Sequence, residues 1–554
     1  MQLNPMHLSI AKLMQARLFR IPDYQRAYSW QHRQREDLFA DIREAQRSGR
    51  EHFMATVVGL ARERRTIGAD EFGVVDLVDG QQRVTTLVIL LKAIEKALGD
   101  GDKAEAKIKG ELADLLVKGD EHNLVLLQTN HDSSDVFTTY VRTGVIKRKA
   151  VVTAADDNLV EAADECEAFV DQWKATGSLT DLVFTIRHRL SVIYHELADQ
   201  STVYRVFEVL NSRGLDVRWL DKTKSQLVAS IYEHVDEGSR TEGLHEMQSI
   251  WKDVYRDLGL EERVGDEALR FAGTWSRETR PNRILSDEDA SIELLRIAGT
   301  TLKSIVEAAS WLKAVVRKSL ELKADQRRAA VTRIAHARFL AIAILLRGFD
   351  EKTERDLLSA WERVTFRIFT LAGKDTRTKV GEYVRLGYDV LASKLPPKAV
   401  AAALAELGDG YSIDEVIFED SWDNWYDGWA EEVRYVLFRY EEHLAREAGM
   451  QINESQWAKV WAADPARSVE HIMPRSSGKR YVHHLGNLTM LPPKVNSSLK
   501  DKPPQDKAAR YVECGLQATM AVGRSIQEGQ RWNRQAVLDR AAAIEEFVRE
   551  EWAD

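Results

Sequence analysis

Residues 53–60, FMATVVGL, and 72–78, FGVVDLV, are short runs of β-branched and apolar residues, and the second leads through Gly80 into an apolar-periodic stretch over 83–98. No other feature of the chain restricts the fold as much. β-branched side chains suit a pleated, half-buried surface and runs of this length suit strands, whereas apolar residues recurring every three or four positions suit a helix. A strand that turns tightly into a helix is half of an α/β unit. The first part of the chain is therefore read as an α/β region, with a further helix expected over 203–210. Between about 235 and 400 the pattern turns almost wholly helical, as in QRRAAVTRIAHARFLAIAILLR over 326–347. The proline pair in LPPK at 395–398 marks a boundary, because proline ends helices and restrains its predecessor. Three domains are expected: an α/β domain over 1–232, a helical connector over 233–398, and a carboxy-terminal helical domain over 399–554.

Several classes of protein are excluded by composition. Two cysteines in 554 residues, Cys166 and Cys514, rule out a disulfide framework and a cysteine-based zinc site within one chain. No apolar run approaches the length of a membrane span, and the first residues lack a secretory pattern, so a cytoplasmic protein with no membrane partner is expected. A net charge of -9 gives no whole-chain sign of nucleic-acid binding. Its distribution is uneven, however. Residues 406–447 hold thirteen Asp or Glu against three Arg, interspersed with Trp422, Trp425, Tyr426, Trp429 and Tyr435, and are read as a helix pair with an aromatic core and an acidic solvent face. Residues 464–510 reverse the sign, with nine Lys or Arg against four Asp or Glu, and the first 50 residues hold nine against five.

The basic segment contains VEHIMPRSSGKRYVHHLGNLTMLPPKVNSSL over 469–499. Phosphodiester hydrolysis needs a base to activate water and a cation to offset charge on the phosphate and the leaving oxygen. His471 suits the base, since its ordinary pKa lies near neutrality. Glu470 and Asn496 are hard oxygen donors of the kind that magnesium or manganese accepts, and the amide of Asn487 can bridge two backbone segments. Lys494, Lys500 and Lys502 flank the late asparagine and can neutralise DNA phosphates. His483 and His484 are open between phosphate contact and ordinary packing.

The order Glu-His, a proline three residues after the histidine, GNLTxL and a late Asn resembles the HNH family of ββα-metal nucleases. The nine-residue step from Asn487 to Asn496 fits that family. The resemblance implies His471 as general base, Glu470 and Asn496 as ligands of Mg2+ or Mn2+, and Asn487 as the residue that holds the histidine-bearing loop. Two departures stand out: the family often has Asp where this chain has Glu470, and the cysteine pairs that staple many HNH domains are missing.

At the other end stand IPDYQRAYSW over 21–30 and LVDGQQRVTTL over 77–87. The second places Gly80, Gln81 and Gln82 at a helix amino terminus, where unpaired N–H groups and a partial positive charge favour an anion. Asp79 would cap that helix, and Arg83 adds a planar cation suited to phosphate. Gln25 and Arg26 would form a second wall, with Tyr24, Tyr28 and Trp30 offering either stacking surface for a base or core packing. No P-loop sequence occurs.

These segments resemble the amino-terminal domain of GmrSD-type restriction systems, within the ParB and sulfiredoxin-like superfamily. VFEVLNSRGLDVRWLDKTK over 206–224 extends the likeness through Phe207, Asn211, Arg213, Gly214, Asp221 and Lys224. A DGQQR domain joined to an EHIxP domain is the architecture of GmrSD fusions and SspE-like proteins. It implies an anti-phage endonuclease or nickase acting on double-stranded DNA, modified or phage-derived, under control of GTP, ATP, UTP or CTP, with Arg83 serving any triphosphate hydrolysis. A homodimer would suit cutting of two strands. The rival is a nucleotide-responsive DNA-binding or signalling protein with an inactive HNH-like domain.

Overall fold

The computed structural model describes residues 5–22, 25, 27–118, 124–128, 134–197, 218–417, 422–427, 429–461 and 464–554. Tyr24, Arg26, the helix expected over 203–210, and Phe207, Asn211, Arg213 and Gly214 lie outside the described residues. The chain divides into two compact units, Met1–Ser276 with Leu285–Arg317, and Arg277–Ile284 with Lys318–Asp554. Helix dominates both.

In the first unit the β-branched runs become strands of one mixed sheet. Its strands are β1 (Pro5–Ser9), β2 (Arg17–Ile21), β3 (His52–Ile67), β4 (Asp70–Asp79), β5 (Leu126–Gln128) and β6 (Leu190–Leu197), in the order β1-β6-β3-β4-β2-β5. β3 and β4 form an antiparallel hairpin, while β2 pairs with β4 in parallel, Arg20 lying beside Asp76. β3 is twice the length of the apolar run that announced it, because its distal half, ARERRTI, is polar and half-exposed and carries no buried-strand signal.

Successive strand residues face opposite sides of a sheet. Phe19, Ile21, Val75 and Leu77 join one core with Val88, Leu91 and Ile94 of the helix Gln81–Ala97 and with Phe39 and Phe169, whose rings stack at 4.4 Å. Each such side chain contributes about 1.5–3 kcal/mol on full burial. The helix Gln81–Ala97 is buried on every side over Val84–Ile94, as its nearly unbroken apolar run requires. Arg20 and Asp76, alternating with those core residues, face the other way. Five long helices between Trp219 and Ala324 follow the sheet, as the periodicity over that region predicts.

Among its described residues, the second unit is helical except for one small hairpin, β7 (Val469–His471) with β8 (Leu488–Met490), in which Val469, Glu470 and His471 face Met490, Thr489 and Leu488. Trp422, Trp425 and Tyr435 are buried as expected. The expected helix pair over 406–447 is instead one long helix, Ala430–Glu447, preceded by a short turn of helix at Ile413–Val416. Its acidic face does not all meet solvent either. Glu432 is buried against Arg333, and Glu441 accepts backbone N–H bonds from Gln517 and Ala518 at the start of the helix Gln517–Gln527. Buried carboxylates are tolerated where donors of this kind meet them. Among the described residues, no helix is long and apolar enough to cross a membrane.

Candidate active site

The strands of the small hairpin are only three residues each, so cross-links must hold the chain between them. Ile472 N donates to Asn487 O at 3.0 Å and Leu491 N to Ser468 O at 3.0 Å, extending the pairing at both ends. The main clamp is the Asn487 side chain, fully buried. Its Oδ1 accepts from Met473 N at 2.8 Å and from Trp532 Nε1 at 3.0 Å, and its Nδ2 donates to Met473 O and Val482 O at 3.0 and 2.9 Å. A planar amide with two donors and two acceptor sites is saturated by this arrangement. Gly486 is demanded by packing: a Cβ there would lie 2.0 Å from Val537 O, in the helix Arg534–Glu551. From the same helix, Arg540 donates to Gly486 O and Leu488 O at 3.0 and 2.7 Å. The GNL sequence thus seats a loop against a helix and suspends the Met473 and Val482 backbone from one amide.

Strand alternation sends Glu470 and His471 to opposite faces of β7. On one face, Glu470 Oε1 accepts from Lys507 Nζ and Tyr511 Oη, both at 2.7 Å, and all three residues are buried. Lys507 also donates to His471 O at 2.7 Å. Burial raises the pKa of Glu470, and the Lys507 ammonium opposes that shift. On the other face, His471 Nε2 lies 3.3 Å from His483 Nδ1, the Tyr426 ring meets His471 edge-on at 4.4 Å and stacks on His483 at 5.5 Å, and Arg475 stands over Tyr426 at 5.4 Å. Burial first, and then the nearby His483, Arg475 and Lys507, push the pKa of His471 down to about 3. The imidazole is therefore neutral at physiological pH, and the same burial weakens it as a base.

Asn496, on the helix Pro493–Leu499, donates from Nδ2 to Arg467 O at 2.9 Å and Val469 O at 3.1 Å, which brings it back beside the residue preceding Glu470. Its Oδ1 has no partner among the described residues. Glu470 and Asn496 are both oxygen donors of the kind a hard divalent cation accepts, but Glu470 is buried, already paired with the Lys507 ammonium, and faces away from His471, so in this arrangement it presents no cation site beside that histidine. Among the described residues, no group of three or more His, Cys, Asp and Glu gathers into a richer ligand set. Lys494, Lys500 and Lys502 are exposed around this helix.

The two amino-terminal motifs are brought together. Gln25 donates to Val78 O at 2.8 Å, Gln82 donates to Ala27 O at 3.0 Å and accepts from Ser29 N at 2.8 Å, and Tyr28 Oη shares a hydrogen bond with Thr86 Oγ1 at 2.8 Å. Gln25, Tyr28, Trp30, Gln81 and Gln82 are all buried, so in this arrangement they stitch the two segments together and present little surface. The helix is capped by Gly80 in the left-handed region, at φ 85°, and Asp79 precedes the cap. Arg83 is different. Its guanidinium lies over Trp30 at 5.4 Å, its Nε is buried without a hydrogen-bonding partner among the described residues, and burial lowers its pKa against the opposing pull of Asp41 and Asp79.

Several residues of the candidate sites had no signal in the sequence. Tyr426 reaches the histidines because Trp425 N donates to His483 O at 3.0 Å and Leu485 N donates to Trp422 O at 2.9 Å, pairings between segments some sixty residues apart. Lys507 and Tyr511 come from the helix Pro504–Val512, Arg540 from Arg534–Glu551 and Trp532 from the loop before it, all beyond the motif; only the helical spacing of Lys507 and Tyr511 relates any of them.

Compared with known families, the chain is similar over residues 10–228 to the family described as GmrSD restriction endonuclease, N-terminal domain. Over residues 412–547 it is similar to the family described as GmrSD restriction endonucleases, C-terminal domain. Together the two spans cover more than half of the chain. No curated protein matches it.

Proposed function

Taking as premise that the chain belongs to the GmrSD restriction endonucleases, we propose that its second unit hydrolyses DNA phosphodiesters at His471, and that a nucleoside triphosphate handled by the first unit controls this cleavage. The family makes the protein a restriction endonuclease of phage defence with DNA as substrate; the chemistry assigned to each residue is our reading.

The observation that carries the nuclease reading is His471 on a short hairpin whose following loop is clamped by Asn487, with His483 at 3.3 Å. In this reading His471 takes a proton from the attacking water as its oxygen bonds to phosphorus and the bond to the leaving oxygen breaks. Asn487 positions His471 by holding the loop. The resemblance assigns Mg2+ or Mn2+ to Glu470 and Asn496; in this arrangement Glu470 is instead paired with the Lys507 ammonium on the face of β7 away from His471. Arg475 and the exposed Lys494, Lys500 and Lys502 attract the DNA backbone, so binding weakens as salt rises. In the first unit, Arg83 is the motif's cation for an anionic ligand. A nuclease that is always active would damage host DNA, so nucleotide or DNA modification should shift the population of a competent state.

Plasmid nicking with Mg2+ or Mn2+ tests the chemistry. The intact chain should nick or linearise DNA and His471→Ala should not. Equal cleavage by both would sink the assignment, and retained DNA binding without cleavage by either would favour an inactive HNH-like domain. Matched modified and unmodified DNAs, with and without each triphosphate, test the control: rates unaffected by both refute it.

A further inference from the structure

In the first unit, a cavity of about 240 Å³ lies where the segment carrying Tyr28 and Ser29 meets the start of the helix Ala154–Thr176 and the helix Glu237–Leu258. That is below the range of about 300–1,000 Å³ typical of small-molecule sites, so it has room for a ring system and not for a whole nucleotide. Its lining is apolar over Ala27, Ala150, Val152, Ala155 and Leu258. The formal charges around it cancel, with Arg218, Lys252 and Arg256 set against Asp156, Asp221 and Glu262. Asp156, 2% exposed, is the residue that points to a ligand. Its Oδ2 accepts from Val152 N at 3.0 Å and from Thr153 N and Oγ1, both at 2.9 Å, which caps the helix. Its Oδ1 is also buried and has no hydrogen-bonding partner among the described residues, and the same holds for the Oγ of Ser29, which lines the same cavity.

We propose that this cavity receives a nucleobase carrying an exocyclic amino group. A carboxylate oxygen only accepts, so an N–H of the ligand supplies the donor that Asp156 Oδ1 lacks and removes the cost of leaving a buried acceptor unpaired. The ligand class follows from the walls. A flat, neutral ring suits an apolar lining of balanced charge better than an ammonium or a phosphate does, and the Ser29 hydroxyl can donate to or accept from a second polar atom on its edge. Uracil and thymine fit poorly, because in their nucleosides the one base N–H lies between two carbonyl oxygens that Asp156 would repel. The base arrives either on the triphosphate that the first unit is read as handling, a source that rests on that reading, or on DNA.

The test is calorimetric binding to the intact chain of three pairs that differ at the amino group: ATP with purine riboside triphosphate, GTP with inosine triphosphate, and CTP with UTP. At least one amino-bearing member should bind at least about tenfold more tightly than its counterpart, the worth of roughly one hydrogen bond to a charged group. Asp156→Asn keeps an oxygen for the helix cap and turns an amide donor toward the cavity, so it should abolish or reverse that preference, whereas a merely unsettled fold weakens both members alike. If that variant does not fold, Ala150→Leu, at a half-buried position on the cavity wall, should weaken the preferred member by a comparable factor. Triphosphates bound without preference, or with affinities that the variants leave unchanged, overturn the proposal and spare the nucleotide reading. If no triphosphate binds, that reading falls and single-stranded oligo(dC) against oligo(dT) decides the cavity: tighter retention of oligo(dC), lost in Asp156→Asn, upholds the base site with DNA as its source, and equal retention overturns it.

Discussion

Replacing Lys507 with Met should loosen the small hairpin far more than an exposed lysine could. Lys507 is fully buried and donates to Glu470 Oε1 and His471 O, both at 2.7 Å. Methionine fills similar volume but leaves Glu470, 4% exposed, with Tyr511 as its remaining side-chain donor. Removing one partner of a buried ion pair costs about 3–5 kcal/mol, because the other charge stays desolvated. At about 1.4 kcal/mol per factor of ten, amide exchange over 469–490 should quicken on the order of a hundredfold to a thousandfold. The pH dependence supplies a second signature. Burial already raises the pKa of Glu470 against Lys507, and the variant loses that opposition, so its carboxyl pKa rises further. A raised carboxyl pKa means the folded state prefers the neutral acid. The deficit should therefore shrink on acidification through that pKa and hold its full size, without growing further, once pH lies above it. Hydrogen exchange with mass-spectrometric readout at several pH values measures both. A change below about tenfold, or one independent of pH, would refute the view that this pair carries a desolvated charge.

Two further predictions bear on the sites. Since burial and neighbouring cations hold His471 at about 3, against the ordinary value of 6.5, its imidazole stays neutral down to strongly acid pH. Cleavage by the intact chain, measured from pH 5 to 7.5, should show no acid limb near 6.5; such a limb would contradict the burial of this base. At Gly80, φ is 85° and a Cβ would lie 2.9 Å from Val57 Cγ2, so Gly80→Ala adds a close contact to a left-handed strain of about 1–2 kcal/mol. Gly49→Ala has φ 65° and open space, and so isolates the strain. Thermal denaturation should show a larger loss for Gly80→Ala, and equal losses would remove the packing argument.

Much of this molecule was legible from local pattern. The strands over 53–60 and 72–78 and the helix over 83–98 follow from side-chain shape and period, which act over a few residues and need no knowledge of the rest of the chain. Strand alternation even dictates that Glu470 and His471 diverge. What each then meets was not legible. Lys507 and Tyr511 come to Glu470, and Tyr426 comes to His471, along a chain path that no spacing encodes. DGQQR was readable as a turn, but the use of Gln82 to stitch residues 27 and 29 in place emerges only from packing. The pairing of Asp76 with Arg20 and Arg62 is the clearest case: the three stand on three strands, each ordinary in its own segment, and they meet because a sheet aligns distant residues on a common face.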